Sequence, residues 1–226
     1  MFDTLLQLPL FQGLSQDDFT CILEKVKFDF TKYKAGEVIV HAGHVCDSLI
    51  FILKGEVQSL SVSPYAELSL IEFFQAPHVI EPYSLFGMSV SFAATFTARS
   101  EVHSVCIPKK YIFSTLFDYE IFRLNYLNIL ANRAQTLSQR LWIRGESQLD
   151  RRIVFFFLTR MERVSGEKII KIKMQDLALI MNETRASVSK VLNTLQEKGL
   201  LILHRGEVVI PDAFQLQHEY AVGSSI

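Results

Sequence analysis

Two hydrophobic periods divide the chain. From about Val38 to Pro108, apolar and polar residues alternate with a period of two, in short runs punctuated by glycine. The runs are Val38-Ile39-Val40, Leu49-Ile50-Phe51-Ile52-Leu53, residues 57–62, 68–74 and 95–107. Gly36, Gly43 and Gly55 fall between them, where turns require positive φ or close backbone approach. Short β-rich runs separated by Gly or Pro predict antiparallel strands closing into a sandwich or barrel. Ahead of them, Ser15-Gln-Asp-Asp18 has the form of a capping box with Asp for Glu, opening a short helix at Phe19.

The period then changes. Over residues 111–144 there is no Pro or Gly, and Leu127, Leu130, Ala134, Leu137 and Leu141 are spaced 3, 4, 3, 4. Leu124 and Ile121 extend the row upstream. This is an a/d seam on one long helix. It either packs on the chain's own sandwich or zips two copies together. The length of the stripe favours a homodimer, since one small barrel covers little of it.

After Gly145 the order is an apolar helical run, Ile153 to Leu158, and a short alternating strand, Ile169 to Lys173. A helix from Met174 to Met181 follows, then a second helix, then two short strands around Arg205-Gly206. That is the order of a winged helix-turn-helix. The local details agree. Ala178 is the small residue the close helix crossing needs, and Asn182 tolerates the positive φ of the turn. Thr184 can cap the second helix, and Val188, Val191, Leu192 and Leu195 form its buried stripe, faced by Leu177, Ile180 and Met181. Arg185, Ala186, Ser189 and Lys190 are left outside the core. In this motif the front of the second helix enters the major groove. Arg185 can there grip guanine O6 and N7, Thr184, Ser187 and the helix N-terminus can hold phosphates, and Lys190 can reach either. Arg205, in the wing turn with His204 and Gly206, adds a backbone contact. Double-stranded DNA is the expected partner.

Composition sharpens this only slightly. The 226 residues carry a formal net charge of -1, so the chain is no generic polyanion binder. Residues 1–143 hold 11 Lys/Arg against 14 Asp/Glu, and residues 144–226 hold 12 against 10, which permits a nucleic-acid site in the last third. No apolar run approaches the roughly 18 residues of a membrane span, and Met1-Phe-Asp-Thr-Leu lacks the basic segment of a secretory signal. Three widely spaced cysteines, Cys21, Cys46 and Cys106, suit a reducing cytoplasm better than a disulfide framework. No nucleophile elbow, phosphate-cradling glycine loop or metal-ligand helix is present, so no enzyme is expected. His41, His44 and Cys46 near one turn, and His78 alone, are weak grounds for a metal or haem. We expect no cofactor.

Taken in order, four segments resemble the CRP/FNR family of bacterial transcription regulators: Leu8-Pro-Leu-Phe-Gln-Gly-Leu-Ser15, Tyr33 to Gly43, Asp47 to Val57, and Asn182 to Leu200. The resemblance implies an α+β chain: an N-terminal antiparallel β-barrel or jelly-roll sensor domain (residues 1–110), a long dimerisation helix (111–144) and a C-terminal winged helix-turn-helix domain (145–226). It also implies a homodimer on a palindromic operator, with RNA polymerase as a further partner. Arg185-Ala-Ser-Val188 departs from the family, which often has an acid where Ala186 stands, so a different half-site is expected.

Residues 82–98 resemble the family's phosphate-binding cassette. Ala93 and Ala94 match its small positions, but Phe92 stands at the phosphate-clamping Arg position and Tyr83-Ser84 at the Gly-Glu pair. No Lys or Arg lies between Lys54 and Arg99. Without a cation the phosphate loses its main charge-assisted partner, so cyclic nucleotide is not the expected ligand. Phe86, Phe92, Ala94 and Phe96 either pack as core or line a pocket for an apolar effector.

Overall fold

The computed structural model describes residues 5–63, 68–142 and 148–220, with the side chains of 139–142 left aside. The Leu141 side chain and the boundary expected at Gly145 lie outside the described residues. The chain divides into two compact units. One comprises residues 1–58 and 74–136, the other 59–73 and 137–226.

In the first unit, helix α1 (Gln16–Lys25) starts where the capping signal predicts. Ser15 Oγ accepts from the Asp18 N–H at 3.0 Å and donates to its carboxylate at 2.7 Å. The strands in this part of the chain are β1 (Asp29–Tyr33), β2 (Val38–Val40), β3 (Ser48–Lys54), β4 (Glu56–Val62), β5 (Leu68–Gln75), β6 (His78–Ile80), β7 (Thr95–Ala98) and β8 (Val102–Pro108), with β4 from Ser59 on and β5 up to Phe73 belonging to the second unit. Sheet order is β1-β8-β3-β6 on one side and β5-β4-β7-β2 on the other, a jelly-roll sandwich left open rather than a closed barrel. Gly36, Gly43 and Gly55 all take positive φ. At Gly55 the requirement is strict: a Cβ would stand 2.3 Å from the Glu101 carbonyl oxygen.

The core is centred on Phe11, whose ring meets Phe19 of α1 at 5.6 Å, Phe51 of β3 at 5.7 Å and Phe122 at 5.3 Å. All four are at most 1% exposed. The run from 95 to 107 is two strands rather than one, and β1 and β6 are strands the alternation did not reveal. The expected long helix also starts later. Helix α2 (Lys109–Ser114) and a 3-10 turn (Leu116–Asp118) precede α3 (Glu120–Trp142), with a break at Thr115 and extended backbone at Tyr119. Helix α3 turns Phe122 and Tyr126 inward and leaves Ile121, Leu124, Leu127 and Leu137 39–54% exposed, with Leu130 half-buried and Ala134 exposed.

The second unit contains α4 (Leu149–Leu158), β9 (Lys168–Ile172), α5 (Met174–Met181), α6 (Arg185–Glu197), β10 (Ile202–His204), β11 (Glu207–Ile210) and α7 (Ala213–Tyr220). Its sheet runs β10-β11-β9-β5, with the first five residues of β5 paired antiparallel to β9 from Leu68↔Ile172 to Glu72↔Lys168. The last pair is ionic. Glu72 and Lys168 lie 3.3 Å apart with side chains 4% and 1% exposed, and the Glu72 carboxylate also accepts from the N–H of Glu162 at 2.8 Å. A charge this deep is tolerated only when paired and hydrogen-bonded.

That pair gives a stability prediction. Glu72→Ala removes the carboxylate paired with a buried ammonium and should cost about 3–5 kcal/mol in urea unfolding of the full chain, whereas Glu72→Met with Lys168→Met should cost far less.

Candidate nucleic-acid interface

The turn between α5 and α6 is built by residues with separate physical tasks. Leu177, Ala178 and Met181 are buried on one face of α5, with Ala178 4% exposed. Ile180, expected to join them, is 42% exposed, because 100° per residue carries it off that face. Asn182 ends α5 in the left-handed region at φ 52°, ψ 48°, and the Glu183 N–H returns to the Ala178 carbonyl at 3.0 Å. This is a helix C-cap closed by a non-glycine residue that accepts positive φ. Arg152 of α4 clamps the turn. Its guanidinium donates to the Met181 carbonyl and pairs with Glu183 at 3.0 Å.

Helix α6 starts on schedule. Thr184 Oγ1 accepts from the Ser187 N–H at 3.1 Å and shares a 2.9 Å hydrogen bond with the Ser187 hydroxyl. Val188, Leu192 and Leu195 are at most 1% exposed, with Val191 half-buried. The Thr184 hydroxyl is thus spent on the cap. Arg185, Ala186 and Lys190 stand exposed, and Ser187 and Ser189 are half-exposed. The first turn of α6 carries no acidic residue, and Glu183, just before the cap, is paired with Arg152. From α6, Gln196 Oε1 accepts from the Leu203 N–H at 2.8 Å, fixing β10. The hairpin β10–β11 turns at Arg205 and Gly206, both exposed, with Gly206 at φ 76°. Helix α7, absent from the sequence reading, closes the unit through Ala213 and Leu216.

In the first unit the four residues suggested for an effector pocket divide. Phe92, Ala94 and Phe96 are core, and Phe96 lies against Phe74 and His78, whose rings stack at 4.4 Å. Phe86 instead meets Phe117 and Tyr126, at 5.9 and 6.0 Å. The rings of His41 and His44 lie 5.2 Å apart on the surface, while Cys46 is buried with its thiol directed to the Ser48 carbonyl. Among the described residues no three His, Cys, Asp or Glu side chains converge as metal ligands, and no helix is long and apolar enough to cross a membrane. The residue that sequence reasoning missed is Glu81. It is 1% exposed, and its carboxylate accepts from the N–H groups of Ala93 and Ala94, the two small positions of the cassette.

A jelly-roll unit joined to a winged helix-turn-helix with a cationic, capped and unburied second helix defines a DNA-binding regulator. The family matches agree. Residues 30–119 match the cyclic nucleotide-binding domain and residues 151–219 the Crp-like helix-turn-helix domain. The chain belongs to the CRP/FNR family of transcription regulators. Among solved structures it is similar to the catabolite activator protein of Thermus thermophilus, at 20% identity over 94% of this chain and 98% of that one, with TM-score 0.54. It is also similar to a protein from Eubacterium rectale described as a transcriptional regulator of the same family, at 19% identity over 95% and 98%, with TM-score 0.51. These likenesses show the fold. No curated protein matches.

Burial pushes the Cys46 thiol up to about 11, and burial also raises Cys106. We therefore expect a thiol reagent at pH 8 to label exposed Cys21 in the native chain and to spare Cys46 until unfolding. The folded state keeps the Cys46 proton where the unfolded state releases it. Its contribution to stability should be present below pH 9 and lost as pH rises towards 11, as read by urea midpoints across that range.

Proposed function

We propose that this regulator acts as a homodimer in the cytoplasm and binds a palindromic DNA site with the front of α6 in the major groove. The observation that carries the reading is the unburied cationic face of a firmly held helix. Arg185 and Lys190 project from a capped N-terminus that carries no acid. Arg185 reads guanine through O6 and N7, Ala186 touches a thymine methyl, and Ser187, Ser189 and Lys190 complete the base and phosphate contacts. Arg205 in the wing reaches the flanking backbone. Thr184 acts through the cap and the orientation it gives the helix.

The exposed stripe of α3 supports the dimer. Ile121, Leu124, Leu127 and Leu137 are large apolar side chains on one helix with 39–54% of their surface open. Two copies meeting along that stripe, with Leu130 and Ala134 inside it, bury what one sandwich leaves bare. Two-fold symmetry then sets two α6 helices about one DNA turn apart. RNA polymerase is the partner on which a DNA-bound regulator of this class acts. The first unit takes no cyclic nucleotide, because Phe92 and the neutral stretch around it offer no cation to a phosphate.

Two experiments test the reading. In selection from a random DNA pool, Arg185→Ala should flatten the preference at one guanine per half-site, a loss of about 1–3 kcal/mol of discrimination. Unchanged selectivity would remove α6 from the groove. Leu124→Glu with Leu127→Glu should give a monomer in sedimentation and weaken DNA binding at least about tenfold. A dimer that persists would place the interface elsewhere.

A further inference from the structure

Between β6 and the 3-10 turn Pro82–Leu85, the backbone passes through Glu81 at φ 35°, ψ 58°. A non-glycine residue in the left-handed region costs energy and persists only where its surroundings dictate it. Here the surroundings are a concave set of donors. Glu81 Oε2 accepts from the Ala93 N–H at 2.7 Å and from Ser84 Oγ at 2.8 Å, and Oε1 accepts from the Ala94 N–H at 2.9 Å. Two consecutive backbone N–H groups and a hydroxyl aimed at one point make an anion nest. The chain fills that nest with its own carboxylate.

The nest is tied to α3. The residue after Glu81 is Pro82, whose carbonyl accepts from the buried Tyr126 hydroxyl at 2.6 Å. The next is Tyr83, whose ring lies 4.2 Å beneath the Arg133 guanidinium. One carboxylate thus gathers the turn before β7, the 3-10 turn and, through two adjacent residues, the helix that carries the apolar stripe.

We propose that Glu81 is a built-in ligand. Its carboxylate occupies the cradle of Ala93, Ala94 and Ser84 in place of a diffusible oxyanion, and it holds the first unit assembled on α3 with no effector bound. The DNA-binding readout of this proposal rests on the regulator reading above, but its central readout does not. While Glu81 is in place, small carboxylates and phosphates are excluded from the cradle. Without it, the cradle accepts them.

The test uses the full chain and two variants. Glu81→Gly removes both the carboxylate and the backbone strain. Glu81→Gln keeps the shape but turns an N–H2 group towards one of the N–H donors. The probes are sodium acetate and inorganic phosphate against sodium chloride at matched ionic strength. The unsubstituted chain should melt at the same temperature in all three and show no saturable binding of acetate or phosphate in calorimetry. Glu81→Gly should melt about 5 °C or more lower in chloride and recover saturably in acetate, and Glu81→Gln should also melt lower. DNA affinity should fall and return in parallel. The proposal is overturned if either variant melts like the unsubstituted chain, if acetate does nothing for Glu81→Gly beyond chloride, or if the unsubstituted chain binds phosphate in this cradle. Should the chain fail to bind DNA while acetate rescue of melting holds, the regulator reading fails and the built-in ligand stands.

Discussion

A close helix crossing governs the second unit. Ala178 is buried on α5, and a close crossing of α5 and α6 leaves no room for a larger side chain at such a position. The crossing also demands a reversal of the chain within three residues, which Asn182 supplies by adopting positive φ. Once those conditions are met, the orientation of α6 is no longer free. Val188, Leu192 and Leu195 must face inward, so Arg185 and Lys190 must face out. Arg152 grips the turn, and Gln196, near the far end of α6, ties β10 to the helix. The exposed face of α6 is what remains of the helix after packing has taken its share.

Two buried carboxylates organise their own surroundings, one in each unit. Glu72 anchors β5 to β9 through Lys168 and the N–H of Glu162. Glu81 draws the segments around β6 and β7 together through neutral donors alone. An ionised group almost excluded from water is costly, and in both cases several hydrogen bonds offset that cost. The difference in partners suits different tasks. An ion pair between strands pins register, while a nest of neutral donors is a site that an anion fills.

The helix-turn-helix was legible because its signals are local. A small residue, a residue tolerant of positive φ, a hydroxyl cap and a 3.6-residue stripe each sit at a fixed offset from the turn. The jelly roll was legible as a class for the same reason, with Gly55 marking the β3–β4 turn correctly. What the sequence concealed depends on distant contacts. Strand β1, Asp-Phe-Thr-Lys-Tyr, lies at a sheet edge and is largely exposed, so it shows no alternation. Strand β6 has three residues, all buried, too few to carry a period. The break before α3 falls at Thr115 with neither Gly nor Pro to announce it. Glu72 and Glu81 stand among apolar neighbours in the chain, and the groups that satisfy them lie 96 and about a dozen residues away, so no local signal names their partners.

Guanine N7 is accessible only from the major groove, which is where the proposed DNA contact puts Arg185. Methylation interference on a selected DNA site therefore reads this contact itself. If Arg185 reads guanine as proposed, N7 methylation blocks binding at one symmetry-related guanine in each half-site, the two about one helical turn apart. Binding that ignores N7 methylation, or that is blocked in only one half of the site, would contradict it.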